Sequence, residues 1–185
     1  MPFRPSGLEK CGQQMKFVRQ AIADSDADSL KGLLLSEGVN LKSVDQSVPA
    51  EVLNQASNAW NAGAGSHWVR IADGRHTCNL SVQLVDQISE EPGQQGLIEV
   101  NRDDEGNMSA SVLIKRTCDD RPLSNLEIGA VLTHEIGHFL GLDDVTGNDF
   151  IMGEFDRSHL VLKPNPEEVA AIQELRKVIS IRLAN

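Results

Sequence analysis

The chain has 185 residues and a formal net charge of −10 at pH 7. This length suffices for one domain with a hydrophobic core, whereas the charge disfavours nucleic acids and anionic membranes as partners, because both need Lys and Arg to neutralise phosphate. The sequence has no apolar stretch of about 18 residues that would predict a membrane-spanning helix, and residues 1–7 lack the apolar run of a signal peptide.

Residues 1–46 are expected to form an N-terminal extension or arm. Within them, apolar residues at spacings of three and four predict a helix over residues 8–22, with Val18 and Ile22 on its apolar face. The short apolar run at residues 30–35 is interpreted as a first strand. The main domain is expected to span residues 47–185.

The main domain is predicted to begin with a helix over residues 47–63, because Pro49 is tolerated in a first helical turn and an apolar stripe follows it. Four strands are predicted next, from alternating or continuous apolar residues. They cover residues 67–72, 78–86, 97–100 and 110–115. Residues 101–107 are rich in turn-forming residues, and residues 117–123 form a hinge before the next helix.

That next helix is predicted to carry a metal site. Ser124 and Glu127 form a capping box in front of an apolar run, a pattern typical of a helix start. Further along, His134 and His138 are one turn apart, so their imidazoles project from the same face and can bind one metal ion. Glu135 lies beside them, where it can act as a general base without being a ligand.

The end of the helix supplies the third ligand. Gly141 can adopt the left-handed conformation that ends a helix, and the chain that turns back can bring in Asp144. Two histidines and one carboxylate, with one position open for water, suit a catalytic zinc ion. Asp143 is the less favoured ligand, because the turn after Gly141 sets the direction of residue 144.

This stretch resembles the metzincin signature H-E-x-x-H-x-x-G-x-x-H. It departs from that signature at Asp144, which stands where most metzincins have a third histidine; the aspartate variant is known in the snapalysin-like branch. Ile151-Met152-Gly153 occupies the place of the methionine turn that lies beneath the metal in metzincins. The tyrosine that follows this methionine in some branches is missing.

The resemblance is to matrixin-like catalytic domains and covers residues 47–177. It implies an α+β zincin fold, with a twisted mixed sheet of four or five strands over the active-site helix, a backing helix and a C-terminal helix. Asn165 begins that last helix, in which apolar residues recur at three and four. The resemblance favours secretion and the absence of a signal peptide favours the cytoplasm, so the compartment stays open.

The function that the resemblance implies is that of a zinc endopeptidase with a single zinc ion. Glu135 would take a proton from the attacking water and pass it to the leaving amine. A peptide or protein substrate would lie along an edge strand, and residues 153–164, with Phe155, Leu160 and Val161, would wall the pocket. The candidate substrate-binding residues on this strand are Gly96, Leu97, Ile98, Glu99 and Val100. The chain is expected to act as a monomer, without nucleic acid or membrane.

Two alternatives to a protease stay open. One is a catalytically degenerate zincin that binds a peptide or partner protein. The other is a metal-dependent RNA-processing hydrolase, since one such family has histidines at the first, fifth and eleventh positions of a similar helix but lacks the glutamate. Glu135, Asp144 and the acidic net charge favour the protease.

The remaining histidines and cysteines give weaker signals. His67, His76 and His159 are interpreted as surface or packing residues. Cys78 and Cys118 lie on segments that could be neighbours in a sheet, so both a disulfide and two buried thiols are compatible with the sequence. Cys11-Gly12 matches only two residues of the cysteine switch of matrixin propeptides.

Overall fold

The structure is a computed structural model that describes residues 16–24, 26–28, 30, 38–64, 67–73, 78–88, 94–104 and 108–184. Residues 27, 28 and 30 are helical, and four further helices and seven strands whose bounds lie within the described residues form an α+β fold. In chain order they are α1 (Lys16–Asp24), β1 (Val39–Ser43), α2 (Ala50–Ala64), β2 (Val69–Ile71), β3 (Leu80–Val85), β4 (Gly96–Arg102), β5 (Met108–Lys115), β6 (Thr117–Cys118), β7 (Arg121–Pro122), α3 (Asn125–Phe139) and α4 (Pro166–Leu183).

Five of the strands form one mixed sheet in the order β2-β1-β3-β5-β4, as predicted for a mixed sheet of four or five strands. Neighbouring strands are parallel except β4, which runs antiparallel to β5 and lies at an edge. Helix α2 packs on β1 and β2, α3 packs on β4 and β5, and the two helices contact each other. The helix that carries the histidines therefore lies beside the antiparallel edge strand.

Most predicted elements of the main domain are confirmed. The helix predicted over residues 47–63 is α2, and its buried face includes Val52 and Trp60. The four predicted strands are β2, β3, β4 and β5. Strand β4 extends to Arg102, into the range predicted as turn-rich, and β5 begins at Met108, two residues earlier than predicted, because the two strands pair from Gly96 and Ile114 to Arg102 and Met108.

The N-terminal segment differs from the prediction in two ways. Leu30 is helical, with its N–H donating to the carbonyl of Asp26, so the strand predicted over residues 30–35 is wrong at Leu30; residues 31–35 lie outside the described residues. The first strand is instead β1, between β2 and β3 in the sheet. The sheet therefore begins before residue 47.

The helix predicted over residues 8–22 is confirmed for residues 16–22 and continues to Asp24, whereas residues 8–15 lie outside the described part. Val18 is buried and Ile22 is half-buried, in a small cluster with Leu175 and Ile179 of α4. The N-terminal helix therefore packs on the C-terminal helix. In the residues described, none of the helices is long and apolar enough to span a bilayer.

The possible disulfide between Cys78 and Cys118 is not formed, and both thiols are free. Strands β3 and β5 are parallel, with Leu80 opposite Ala110 and Val85 opposite Lys115. Cys78 precedes the first of these pairs and Cys118 follows the last, so the two cysteines lie at opposite ends of the sheet. At about 3.3 Å per residue, the separation is on the order of 15 Å or more, whereas a disulfide needs Cα atoms within about 7 Å.

Candidate metal centre

Helix α3 is fixed at both ends by local hydrogen bonds. The Ser124 side chain accepts from the N–H of Glu127, and the Glu127 carboxylate accepts from the N–H of Ser124, which confirms the predicted capping box. At the other end Gly141 has φ +107°, and its N–H donates to the carbonyl of His138 while the N–H of Leu142 donates to that of Gly137. These two bonds form a Schellman motif, so the helix ends where the glycine predicts.

The body of α3 is buried on nearly every side. Among its apolar residues Leu126 is the exception, because its side chain is 53% exposed. It lies in the first turn, where the helix has not yet entered the core. A buried helix holds the side chains that it carries in fixed positions.

His134 and His138 are oriented by backbone carbonyls. Nδ1 of His134 donates to the carbonyl of Ile151 at 2.8 Å, and Nδ1 of His138 donates to that of Leu142 at 2.9 Å. In each ring Nδ1 is thus occupied by a carbonyl, and Nε2 is the nitrogen that could bind a metal ion. The two ring centroids are 4.7 Å apart. Both imidazoles thus direct Nε2 away from the helix backbone.

Asp144 completes the group. Its Oδ1 lies 3.2 Å from Nε2 of His134 and 3.4 Å from Nε2 of His138. The ligand atoms of the three residues all lie within 4.8 Å of one another, so they could hold one metal ion. Asp143 is directed elsewhere, because its carboxylate pairs with Arg19 of α1 at 3.7 Å and accepts the N–H of Asp144.

Glu135 lies beside this group but does not join it. Its side chain is almost completely buried, at 4% exposed, next to Gly96 at the start of β4. A Cβ at position 96 would overlap the carboxylate of Glu135, so only glycine leaves room for it. Burial raises the pKa of Glu135, and the two neighbouring histidines offset this only in part. The carboxylate is therefore more basic than an exposed one.

The charges of the three converging residues are coupled. Burial acts to lower the pKa of His138, but the carboxylates of Asp144 and Glu135 outweigh it and raise the pKa to about 9. The same contacts, from His134 and His138, hold the pKa of Asp144 well below its usual range. The ionised Asp144 therefore favours the protonated form of His138 at neutral pH, and a metal ion bound between them would have to displace that proton.

The turn that follows lies beneath the histidines. The N–H of Gly153 donates to the carbonyl of Phe150, which makes residues 150–153 a tight turn with Met152 near its apex. Met152 is fully buried, and its sulfur lies against Gly137 of α3. Because the carbonyl of Ile151 accepts from His134, the turn also orients one of the imidazoles.

Glu168 is a residue of this site that sequence reasoning missed. Its side chain is fully buried on α4; one oxygen accepts the N–H of Met152 at 2.9 Å and the other accepts the N–H of Asn165 at 2.8 Å. The pattern Asn165-x-x-Glu168 signals a capping box, but nothing local in the sequence signals the bond to Met152. Glu168 therefore joins the last helix to the turn beneath the histidines.

A cleft of about 750 Å³ opens at the three converging residues. One side is formed by the edge strand β4, where Gly96, Leu97 and Ile98 line the cleft but Glu99 and Val100 lie further along the strand. The opposite side, residues 153–164, is called the cleft wall below. Its Phe155, Leu160 and Val161 contribute apolar surface to the cleft, as predicted.

The other candidate residues lie away from the converging group. His67 and His159 are exposed; His159 lines the cleft and pairs with Asp149 at 3.4 Å. His76 and Cys11 lie outside the described residues. The chain matches no protein-family model, and a search of curated proteins finds no significant match.

Proposed function

We propose that the protein is a zinc-dependent endopeptidase with a metzincin-like active site. The observation that carries this proposal is the convergence of His134, His138 and Asp144 beside a buried Glu135. Two neutral imidazoles and one carboxylate, with an acid that is not a ligand, are the parts of a hydrolytic zinc site.

Two of the distances within the group are those expected around a zinc ion. Tetrahedral ligands at about 2.0–2.1 Å from a metal ion are about 3.3–3.4 Å from one another. The oxygen of Asp144 lies 3.2 and 3.4 Å from the two Nε2 atoms. The bonds from Nδ1 of each histidine to a backbone carbonyl are the outer contacts that fix zinc-binding tautomers. Calcium or magnesium would instead demand mainly oxygen ligands.

The proposed reaction is hydrolysis of a peptide bond by water, without a covalent intermediate. Bound zinc would polarise the scissile carbonyl and lower the pKa of water at its open position towards about 7. Glu135 takes a proton from the attacking water and then gives it to the leaving amine. Burial suits Glu135 to this task, because a raised pKa makes its carboxylate a stronger base.

A substrate peptide is proposed to bind in extended form along β4. This strand is an edge of the sheet, and in the described part of the chain no strand pairs with its outer side. Its backbone groups are therefore available to an added strand. Because Gly96 adjoins Glu135, a peptide bound here would bring its backbone next to the general base. The cleft wall would contact the side chain after the cleaved bond.

The order of elements also supports the proposal. A backing helix, a sheet with an antiparallel edge strand, the histidine-bearing helix, a methionine turn and a last helix follow one another as in matrixin-like domains. The aspartate at position 144 agrees with the snapalysin-type variant of the signature.

The proposal is tested by peptide cleavage with and without a zinc chelator. We expect cleavage that the chelator abolishes and added zinc restores. Glu135→Gln should lower kcat by about 10²–10⁴-fold while zinc stays bound. Glu167→Gln, which changes an exposed glutamate on α4 outside the cleft, is the matched control and should retain activity. Loss of zinc from Glu135→Gln, or cleavage of structured RNA but no peptide, would reject the proposal.

A further inference from the structure

The cleft wall, residues 153–164, contains no helix or strand, so side-chain contacts decide where it lies. Phe155 and Val161 pack against the main hydrophobic core, but a second cleft of about 750 Å³ lies next to the first part of the wall. Glu154, Phe155 and Asp156 line both clefts. Residues 154–156 therefore have open space on two sides, and polar contacts nearby help to decide where this part of the wall lies.

Arg157 anchors this part of the wall by such polar contacts. Its Nε donates to the carboxylate of Glu127 in the first turn of α3. Its Nη1 donates to the carbonyl of Cys118 in β6 at 2.7 Å, and its Nη2 donates to that of Pro122 in β7 at 3.1 Å. The side chains of Arg157 and Glu127 are only 15% and 10% exposed. One guanidinium therefore ties the wall to three separate elements.

Glu127 connects this anchor to the active-site helix. Its second oxygen accepts the N–H of Ser124 at 2.6 Å, so the carboxylate caps α3 and holds Arg157 at the same time. The hydrogen bond from Arg157 is the main cause that lowers the pKa of Glu127 to about 2, against the effect of burial. The pair is thus ionised at neutral pH. Glu127 lies seven residues before His134, about 10 Å along the helix axis.

The other bonds of the wall reach a different region. The N–H of Glu154 donates to the carbonyl of Gly147, and the Asn148 side chain donates to Asp156. These bonds join the wall to the neighbouring loop, which lies on the same side of the cleft. Arg157, by contrast, joins the wall to the helix that carries the histidines.

We propose that Arg157 is a positioning residue that fixes the cleft wall against α3 and so determines which side chains the apolar part of the cleft accepts. The anchoring rests on geometry alone, whereas the effect on specificity rests on the proposed peptidase function. Arginine suits the role because its planar head donates in three directions at once, whereas the ammonium group of lysine is a compact point charge.

The test compares Arg157→Lys with the wild type. Arg116→Lys is the matched control, because Arg116 also pairs with a carboxylate, Asp86, but at an exposed site. Amide hydrogen exchange of residues 154–161 should become about tenfold faster or more in Arg157→Lys and stay unchanged in the control. Unchanged exchange in Arg157→Lys would overturn the anchoring.

Specificity is measured with two peptides that differ only in leucine or glycine after the cleaved bond. The wild type should prefer leucine, and the ratio of the two kcat/KM values should fall by about fivefold or more in Arg157→Lys. If amide exchange in the cleft wall becomes faster but the ratio of the two kcat/KM values does not change, the role of Arg157 in specificity is overturned. If the wild type cleaves neither peptide, the proposed function fails, and the exchange experiment still decides whether Arg157 anchors the wall.

Discussion

Two glycines in α3 allow a direct test of how tightly Met152 packs beneath the histidine-bearing helix. Gly137 and Gly129 both lie within the helix, and replacing either by alanine should improve helix propensity by about 1 kcal/mol. Their surroundings differ. A Cβ at position 137 would overlap the sulfur of Met152 and come within 3.0 Å of the Trp60 ring, whereas one at position 129 would meet the side-chain amide of Gln55 at 2.8 Å.

The magnitude follows from how easily these neighbours can move. Met152 and Trp60 are fully buried, and overpacking of a core typically costs about 1–3 kcal/mol. The overlap with Met152 is severe, so we take the upper end of this range, about 3 kcal/mol. The gain in helix propensity offsets about 1 kcal/mol of it, and Gly137→Ala should lower the free energy of unfolding by about 2 kcal/mol. Gln55 is half-buried and its amide is the end of a flexible side chain. Gly129→Ala should therefore be neutral or up to about 1 kcal/mol more stable.

Urea unfolding followed by tryptophan fluorescence measures both variants. Zinc affinity, measured on the same samples, should fall only in Gly137→Ala, because a displaced Met152 moves the turn whose Ile151 carbonyl orients His134. Equal stabilities for the two variants would refute the packing of Met152 against Gly137.

Three further predictions concern charged residues around the site. The pKa of Glu127 is lowered from 4.5 to about 2, so its pairing with Arg157 stabilises the fold by up to about 3 kcal/mol at pH values above 4.5, and this stabilisation is lost as the pH falls towards 2. In urea unfolding, the free energy of unfolding should therefore fall more steeply with decreasing pH in the wild type than in Glu127→Gln. Equal pH dependence of the two free energies would count against this pairing. Glu168→Ala leaves two backbone N–H groups without their acceptor and should cost about 2–4 kcal/mol in the same assay; a loss below about 1 kcal/mol would mean that water replaces the carboxylate. Asp144→Asn should weaken zinc binding by about 100-fold or more and Asp143→Asn far less, as measured by competition with a chromogenic chelator. A larger loss of zinc affinity in Asp143→Asn would make Asp143 the ligand in place of Asp144.

The candidate site was predictable from the sequence to the extent that its parts are local. The capping box, the one-turn spacing of His134 and His138 and the glycine at position 141 each act within a few residues, and all three were read correctly. The convergence of Asp144 on the histidines follows from the Schellman motif after Phe139. Local chemistry was enough here, because one helix and its end supply all three converging side chains.

Strand β1 was missed because its stability comes from a distant partner. It has only two apolar residues, and its Asn40 is buried. The N–H of Asn40 is satisfied by the side chain of Asn79 at 2.7 Å, and the amide of Asn79 donates to the carbonyl of Gly38 at 3.0 Å. A buried asparagine does not fit the usual pattern of a strand, in which buried residues are apolar. Asn40 is compatible with a strand only because Asn79, 39 positions later, bonds to its backbone.

The roles of Arg157 and Glu168 were missed for the same reason. Arg157 lies in an irregular segment and binds residues 30 to 39 positions earlier. Glu168 binds Met152, which is 16 positions away. Each residue is polar in a polar stretch of sequence, so only the fold distinguishes it from a solvated surface residue.

Anomalous diffraction at the zinc absorption edge, from crystals grown with zinc, tests the proposed metal site most directly. We expect a single strong peak about 2.0–2.2 Å from Nε2 of His134, Nε2 of His138 and a carboxylate oxygen of Asp144, with Glu135 unliganded beside it. A peak elsewhere, no peak at these residues, or coordination by Asp143 in place of Asp144 would contradict it.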